Sequence, residues 1–220
     1  KSIFSIHKKK GSDINSPYYR RLAYDEILSN LLVLSQVRKR VRKFKKKEKK
    51  FDDSLSRKII NNFNFFLTSE QKNCIEEINK DLKSDYKMFR ILQGDVGSGK
   101  TIVAFIAAAN VIRSNYQTAM MAPTEILAEQ HYYSFLKFCE PANINISLLI
   151  GNQKKAKKEK IYSDLESGKI QLVVGTHALI QENVNFQDLG MIIVDEQHRF
   201  GVEQRKALID KGYSPELLAL

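Results

Sequence analysis

Residues 93–101 read Gln-Gly-Asp-Val-Gly-Ser-Gly-Lys-Thr, and no other stretch of this 220-residue chain narrows its fold so far. The spacing is G-x-x-x-x-G-K-T, preceded by the apolar run 88–92 and followed by the apolar-rich segment 102–112. That order, strand then glycine loop then helix, is the setting in which such a loop cradles phosphate. Gly94, Gly97 and Gly99 permit tight turns and close approach, so that successive N–H groups of the loop, Asp95 and Ser98 included, can converge on one anion. The helix that follows adds free N–H groups and the positive end of its dipole. Lys100 supplies a mobile full charge for the β- and γ-phosphates, and the Thr101 hydroxyl is a hard ligand for Mg²⁺. A nucleotide site is therefore expected here.

The rest of the chain repeats that alternation. Apolar runs at 88–93, 117–122, 144–150, 170–175 and 191–195 are separated by helical patterns at 100–114, 124–138 and 154–167. Near-continuous apolar strands between helices predict an α/β fold with a parallel sheet covered on both faces. In such a sheet the carboxyl ends of the strands line the ligand crevice. The run Met191-Ile192-Ile193-Val194 ends in Asp195-Glu196, which places two carboxylates on that edge. Asp195 is suited to holding Mg²⁺ and Glu196 to orienting and activating the attacking water, so that Lys100, Asp195 and Glu196 form the expected catalytic set.

Charge divides the chain. Residues 1–67 hold 18 Lys and Arg against 6 Asp and Glu, and residues 68–220 hold 18 against 19, so the first third carries the whole net charge of +11. Apolar residues at helical spacing predict a helix from residue 17 to about residue 47, with shorter ones over about 52–63 and up to residue 82. Ten of the residues 38–50 are basic and only Glu48 is acidic. This run, with Arg38, Arg42, Lys45 and Lys46 in it, reads either as a solvated helix end or as a contact for nucleic-acid phosphate, and the latter makes DNA the expected partner. The two cysteines, Cys74 and Cys139, fit no metal spacing and point to a reducing, cytoplasmic setting. No apolar run approaches the ~18 residues of a membrane helix. The opening Lys1 suggests an excerpt of a longer protein.

Four segments resemble motifs of superfamily 2 helicases, over about residues 16–220. They are Gly94-Asp-Val-Gly-Ser-Gly-Lys-Thr101, Met121-Ala-Pro-Thr-Glu-Ile-Leu-Ala-Glu-Gln-His131, Gly175-Thr-His-Ala-Leu179 and Asp195-Glu-Gln-His-Arg-Phe-Gly-Val-Glu-Gln-Arg205. Their wording is similar to that of bacterial helicases acting on branched DNA. The resemblance implies a RecA-like P-loop NTPase domain that binds ATP and Mg²⁺, with Thr101 and Asp195 on the metal. It implies that Gln71 reads the adenine edge and that Phe65 stacks on the base, although Asn64 stands where a proline is usual. It further implies that Thr124 and Thr176 touch the backbone of a DNA strand, and that Gln197 and His198 link hydrolysis to the DNA-bound state. Three regions follow: the end of a DNA-binding region with a long basic linker helix (1–50), a helical lead-in with the adenine-reading segment (51–87), and a first motor domain (88–220). A second motor domain with its arginine finger is expected after Leu220. The implied parent is a monomeric ATP-dependent translocase that remodels stalled forks and junctions. Another superfamily 2 translocase, such as the transcription-repair coupling factor, and a nucleotide-regulated DNA-binding module without motor activity are the alternatives.

Overall fold

The computed structural model describes residues 17–41, 46, 49–51, 54–61, 65–95 and 97–220. They fall into two units, Lys1–Lys45 and Lys46–Leu220. In the first, helix α1 spans Pro17–Val41. Pro17 opens it, a position where the missing N–H costs nothing. An Arg21–Asp25 pair at 3.2 Å links successive turns on its exposed surface. Tyr24, Ile27, Leu28, Leu31 and Leu32 are exposed on it. The helix was expected to run on to about residue 47; instead Lys46 is outside any helix and donates its backbone N–H to Asp85 O at 3.0 Å.

The second unit begins with α2 (Ser54–Asn61) and α3 (Ser69–Leu82). Strands β1 (Phe89–Ile91), β2 (Gln117–Met121), β3 (Ile146–Leu149), β4 (Leu172–Gly175), β5 (Leu189–Val194) and β6 (Glu216–Ala219) then form one sheet. Its order is β1-β6-β5-β2-β4-β3, and every pair is parallel. The four inner strands are buried at every residue, whereas edge strand β1 exposes Phe89 and Ile91. That is the pattern of a sheet covered on both faces. The covering helices are α4 (Lys100–Arg113), α5 (Glu125–Ala142), α6 (Lys155–Glu166) and α7 (Val202–Ile209). Helix α7 and strand β6, of which the sequence shows only an apolar start at residues 217–220, complete the unit.

Two apolar clusters lie in this unit. One joins α3, α4 and α5 through Ile78, Leu82, Phe105 and Phe135, with the rings of Phe105 and Phe135 5.0 Å apart. The other contains Ile161, Leu165, Leu179 and Leu208. Helix α4 is buried from Val103 to Ile112, which explains why its sequence is apolar all round. Its one polar residue in that stretch, Asn110, donates to Asn79 Oδ1 at 2.7 Å and accepts from Ser56 Oγ, tying α4 to α3 and α2. A buried amide needs such partners to offset lost hydration.

A second buried polar group corrects an expectation. Lys46 was expected to meet DNA phosphate, but its side chain is 2% exposed and its Nζ lies 2.6 Å from Glu216 Oε1. Lys49 Nζ lies 2.7 Å from the same oxygen, and Glu216 Oε2 accepts from Met88 N at 2.7 Å. Lys46 also donates to the carbonyls of Asp81 and Leu82 at the end of α3. Glu216 is fully buried in β6, and an unpaired carboxylate there would carry a large desolvation cost. Two lysines of the basic run are therefore consumed as its counter-ions. Arg42 and Lys45 lie outside the described residues, as does the side chain of Arg38.

Candidate nucleotide site

The phosphate loop leaves β1 through Leu92, whose N–H extends the sheet to Ala219 O at 2.8 Å, and enters α4 at Lys100. Gly97 and Gly99 sit at φ +82° and +81°, a region that L side chains rarely adopt. A Cβ built at Gly97 would meet nothing within 4 Å, so the loop is open there, as an approaching phosphate requires. At Gly99 the same atom would fall 2.3 Å from Gln71 Nε2, so that side is closed. Lys100 folds back and donates to the carbonyls of Gly94 and Asp95 at 2.6 and 2.9 Å. These are replaceable partners for an ammonium whose loop is exposed, and an anion in the loop can take their place.

Gln71 reaches the loop because Thr68 starts α3. Thr68 Oγ1 accepts from Gln71 N at 3.2 Å and Gln71 Oε1 accepts from Thr68 N at 2.9 Å, a reciprocal capping box. Gln71 Nε2 then donates to Ser98 O at 2.9 Å, joining the start of α3 to the loop 27 residues on. A cavity of about 410 Å³ lies beside this junction, lined by Gln71, Cys74, Gly94 and Asp95 among others. Phe65, expected to stack on a base, is 45% exposed.

Beyond the loop, a second cavity of about 480 Å³ runs from Gly97 through Thr101 to Gln130, His131, Ser134 and Lys137 of α5. His131 Nε2 is 2.7 Å from Asp195 Oδ2, which ties the strand-end carboxylate to a residue lining the same cavity as Thr101. Asp195 follows β5, and its N–H donates to Met121 O at 2.9 Å. Its neighbour Glu196 adopts φ 50°, ψ 50°, a left-handed conformation costing a non-glycine residue on the order of 1 kcal/mol or more. That turn carries the Glu196 carboxylate to His198 Nε2 at 3.3 Å. His198 is itself 71% exposed, and Gln197 Oε1 accepts from Arg205 at 3.4 Å.

The donor set fits Mg²⁺. A threonine hydroxyl and a carboxylate are hard oxygens, and this cation is usually held by one or two protein oxygens together with substrate phosphates. Among the described residues no three His, Cys, Asp or Glu side chains converge into a protein-only cage.

The expected DNA contacts are placed unevenly. Thr124 is exposed at the N-cap of α5, where its hydroxyl accepts from Leu127 N at 3.2 Å. Thr176 is 1% exposed and its hydroxyl has no partner among the described residues. In this conformation it is out of reach of a strand lying on the surface, because the turn it opens packs Ala178 and Leu179 into the core. The residue that sequence reasoning passed over is His131. Its signal was periodicity: Ala128, Phe135 and Cys139 mark the buried stripe of α5, and His131 falls on that stripe as a polar residue.

Cys74 and Cys139 differ in the same structure. Burial pushes the Cys139 thiol up to about 12, which leaves roughly a thousandfold less thiolate than at its ordinary value of 9.0. Cys74 is half-buried in the cavity beside Gln71. A disulfide reagent near pH 8 is expected to modify one thiol in the native chain and the second only on unfolding. ADP with Mg²⁺ is expected to slow the first reaction severalfold; two fast thiols, or no protection, would contradict this placement.

Among known proteins, the sequence model of the DEAD/DEAH box helicase family matches residues 68–214. The chain is 43% identical over 216 residues to the ATP-dependent DNA helicase RecG of Aquifex aeolicus, covering 96% of this chain and 27% of that protein. It is 46% identical over 200 residues to the RecG of Thermotoga maritima, covering 91% and 26%. A solved structure of RecG bound to a three-way DNA junction superimposes with a TM-score of 0.79 at 43% identity, covering 92% of this chain and 27% of that one. The chain thus spans about a quarter of the length of these relatives. The all-parallel sheet, the glycine loop at the carboxyl edge of β1 and the match over most of its length agree: this chain belongs to the DEAD/DEAH box helicase family.

Proposed function

We propose that this chain forms the nucleotide-binding half of the motor of an ATP-dependent DNA helicase acting on branched DNA. The observation that carries the reading is the His131–Asp195 contact, which ties the strand-end carboxylate to a residue lining the same cavity as Lys100 and Thr101. The junction-bound relative supports the DNA substrate. In this reading the loop N–H groups and Lys100 hold the β- and γ-phosphates and draw off charge as the terminal bond breaks. Thr101 and Asp195 would hold Mg²⁺, which would supply neutralisation of the phosphate charge, and Glu196 orients the attacking water. The opposite wall, with an arginine for the γ-phosphoryl oxygens, is assigned to the three-quarters of the relatives' length not represented here. Thr124 and the side chains of Arg38, Arg42 and Lys45 remain the proposed DNA contacts, and Gln197 and His198 the proposed links to hydrolysis. The two free cysteines support a cytoplasmic setting.

Gln71 gives the base preference a concrete form. Its amide has two donors and two acceptor sites. One donor is spent on Ser98 O and one acceptor site on Thr68 N. The remaining donor and acceptor match the N7 acceptor and N6 donor of adenine, whereas guanine presents two acceptors on that edge. N7 accepts in both bases, so only the N6 bond discriminates, and one neutral hydrogen bond of about 1 kcal/mol corresponds to roughly fivefold. ATP is therefore expected to outcompete GTP by about that factor in a displacement titration, with Phe65 supplying stacking that does not discriminate. Gln71→Ala should erase the preference; equal affinities in the unmodified chain would remove the adenine-reading role.

A further inference from the structure

His131 occupies a place that the mechanism above uses only as a landmark. Its side chain is 13% exposed and that of Asp195 17%, and the two meet at 2.7 Å across 64 residues of sequence. The ring is backed by Phe135, centroids 6.3 Å apart, and Phe135 packs on Phe105 of α4 at 5.0 Å. An imidazole on a buried stripe, packed against an aromatic pair, has little freedom to turn away. A carboxylate accepts hydrogen bonds, so Nε2 is the donor in this contact. The contact engages Oδ2, and no other side chain among the described residues is bonded to Asp195, which leaves Oδ1 for a cation. Outer groups that hydrogen-bond a ligating carboxylate fix its orientation, and losing one typically costs about 10–100-fold in metal affinity.

We propose that His131 is a positioning residue for Asp195: held in the core stripe of α5, it fixes the carboxylate through Oδ2 and leaves Oδ1 available to a cation shared with Thr101. The proposal rests on the nucleotide-site reading above and adds to it a residue that touches neither nucleotide nor metal. A purely structural role would lower stability and leave metal affinity alone.

The experiment compares the unmodified chain with His131→Phe, His131→Gln and Thr101→Ala. Each is titrated with a fluorescent ADP in EDTA and again across a series of Mg²⁺ concentrations, and its melting temperature is recorded. His131→Phe keeps the aromatic shape and loses the donor. It is expected to need roughly 10–100-fold more Mg²⁺ to strengthen ADP binding, with its affinity in EDTA unchanged. His131→Gln carries an amide donor at similar reach and should stay within a few-fold of the unmodified chain. If His131→Phe melts below the assay temperature, His131→Asn, whose amide is too short to reach Asp195, replaces it. A Mg²⁺ midpoint unchanged in the donorless variant, while Thr101→Ala shifts its own, overturns the positioning role. Midpoints unchanged in both overturn the nucleotide-site reading and the proposal with it.

Discussion

Replacing Lys100 with alanine is expected to weaken binding of Mg²⁺·ATP by this chain roughly ten- to a hundredfold, since a hydrogen bond to a charged group contributes about 1.5–3 kcal/mol. The melting temperature should move by no more than about 1–2 °C. Among the described residues the ammonium is bonded only to two carbonyls of its own exposed loop, so removing it strands no buried charge. Exposed substitutions of that kind stay within about 0.5 kcal/mol, and a domain this size shifts by about 2–4 °C per kcal/mol. Isothermal titration and a thermal melt on the same preparation check both halves. Unchanged affinity would show that the loop does not hold phosphate, whatever its spacing.

Glu216→Ala is expected to have the opposite signature, a large loss of stability with the loop chemistry intact. It removes the counter-ion of two buried lysines and the acceptor for Met88 N at once. Breaking a buried pair from one side costs about 3–5 kcal/mol, because the remaining charge is left desolvated. At about 2–4 °C per kcal/mol the melting temperature should fall by roughly 6–20 °C. The loss has a defined pH dependence. Burial already lowers the Lys46 pKa below its ordinary 10.5, against the opposing pull of Glu216. Without Glu216 the folded-state value drops further, so between it and 10.5 the unfolded chain binds more protons than the folded one. Stability rises with pH across such a window. The deficit of Glu216→Ala relative to the unmodified chain should therefore shrink from pH 7 towards pH 10. Replacing all three side chains together, as Glu216→Leu with Lys46→Met and Lys49→Met, should recover most of the loss, since well-packed apolar groups can substitute for a buried ion cluster. A variant no less stable than the unmodified chain at neutral pH would refute this account of the cluster.

The sequence alone determined the features that depend on neighbours along the chain. Glycines that tolerate positive φ, a strand before them and a helix after them specify the phosphate loop from nine adjacent residues. Apolar periodicity determined the alternation of strands and helices, and with it the parallel sheet and the edge on which Asp195 and Glu196 stand. The end of α3 near residue 82 was legible too, but its start was not placed, although a Thr followed three residues later by Gln is itself a capping signal. What tertiary structure decided is the fate of polar side chains whose partners are remote. Lys46 lies in a basic run and reads as a surface cation until Glu216, 170 residues away, is brought beside it by β6. A single acid in an apolar strand was the available hint, since a buried carboxylate must find a counter-charge, but nothing in the pattern says which lysine answers it. Thr176 reads as a surface hydroxyl until its turn packs into the core. His131 becomes the partner of Asp195 only because the crossover helix α5 lays its buried stripe over the end of β5. Periodicity encodes which face of an element is apolar; which charges meet across two such faces is decided when the layers close, because only then does desolvation force each buried charge to be matched.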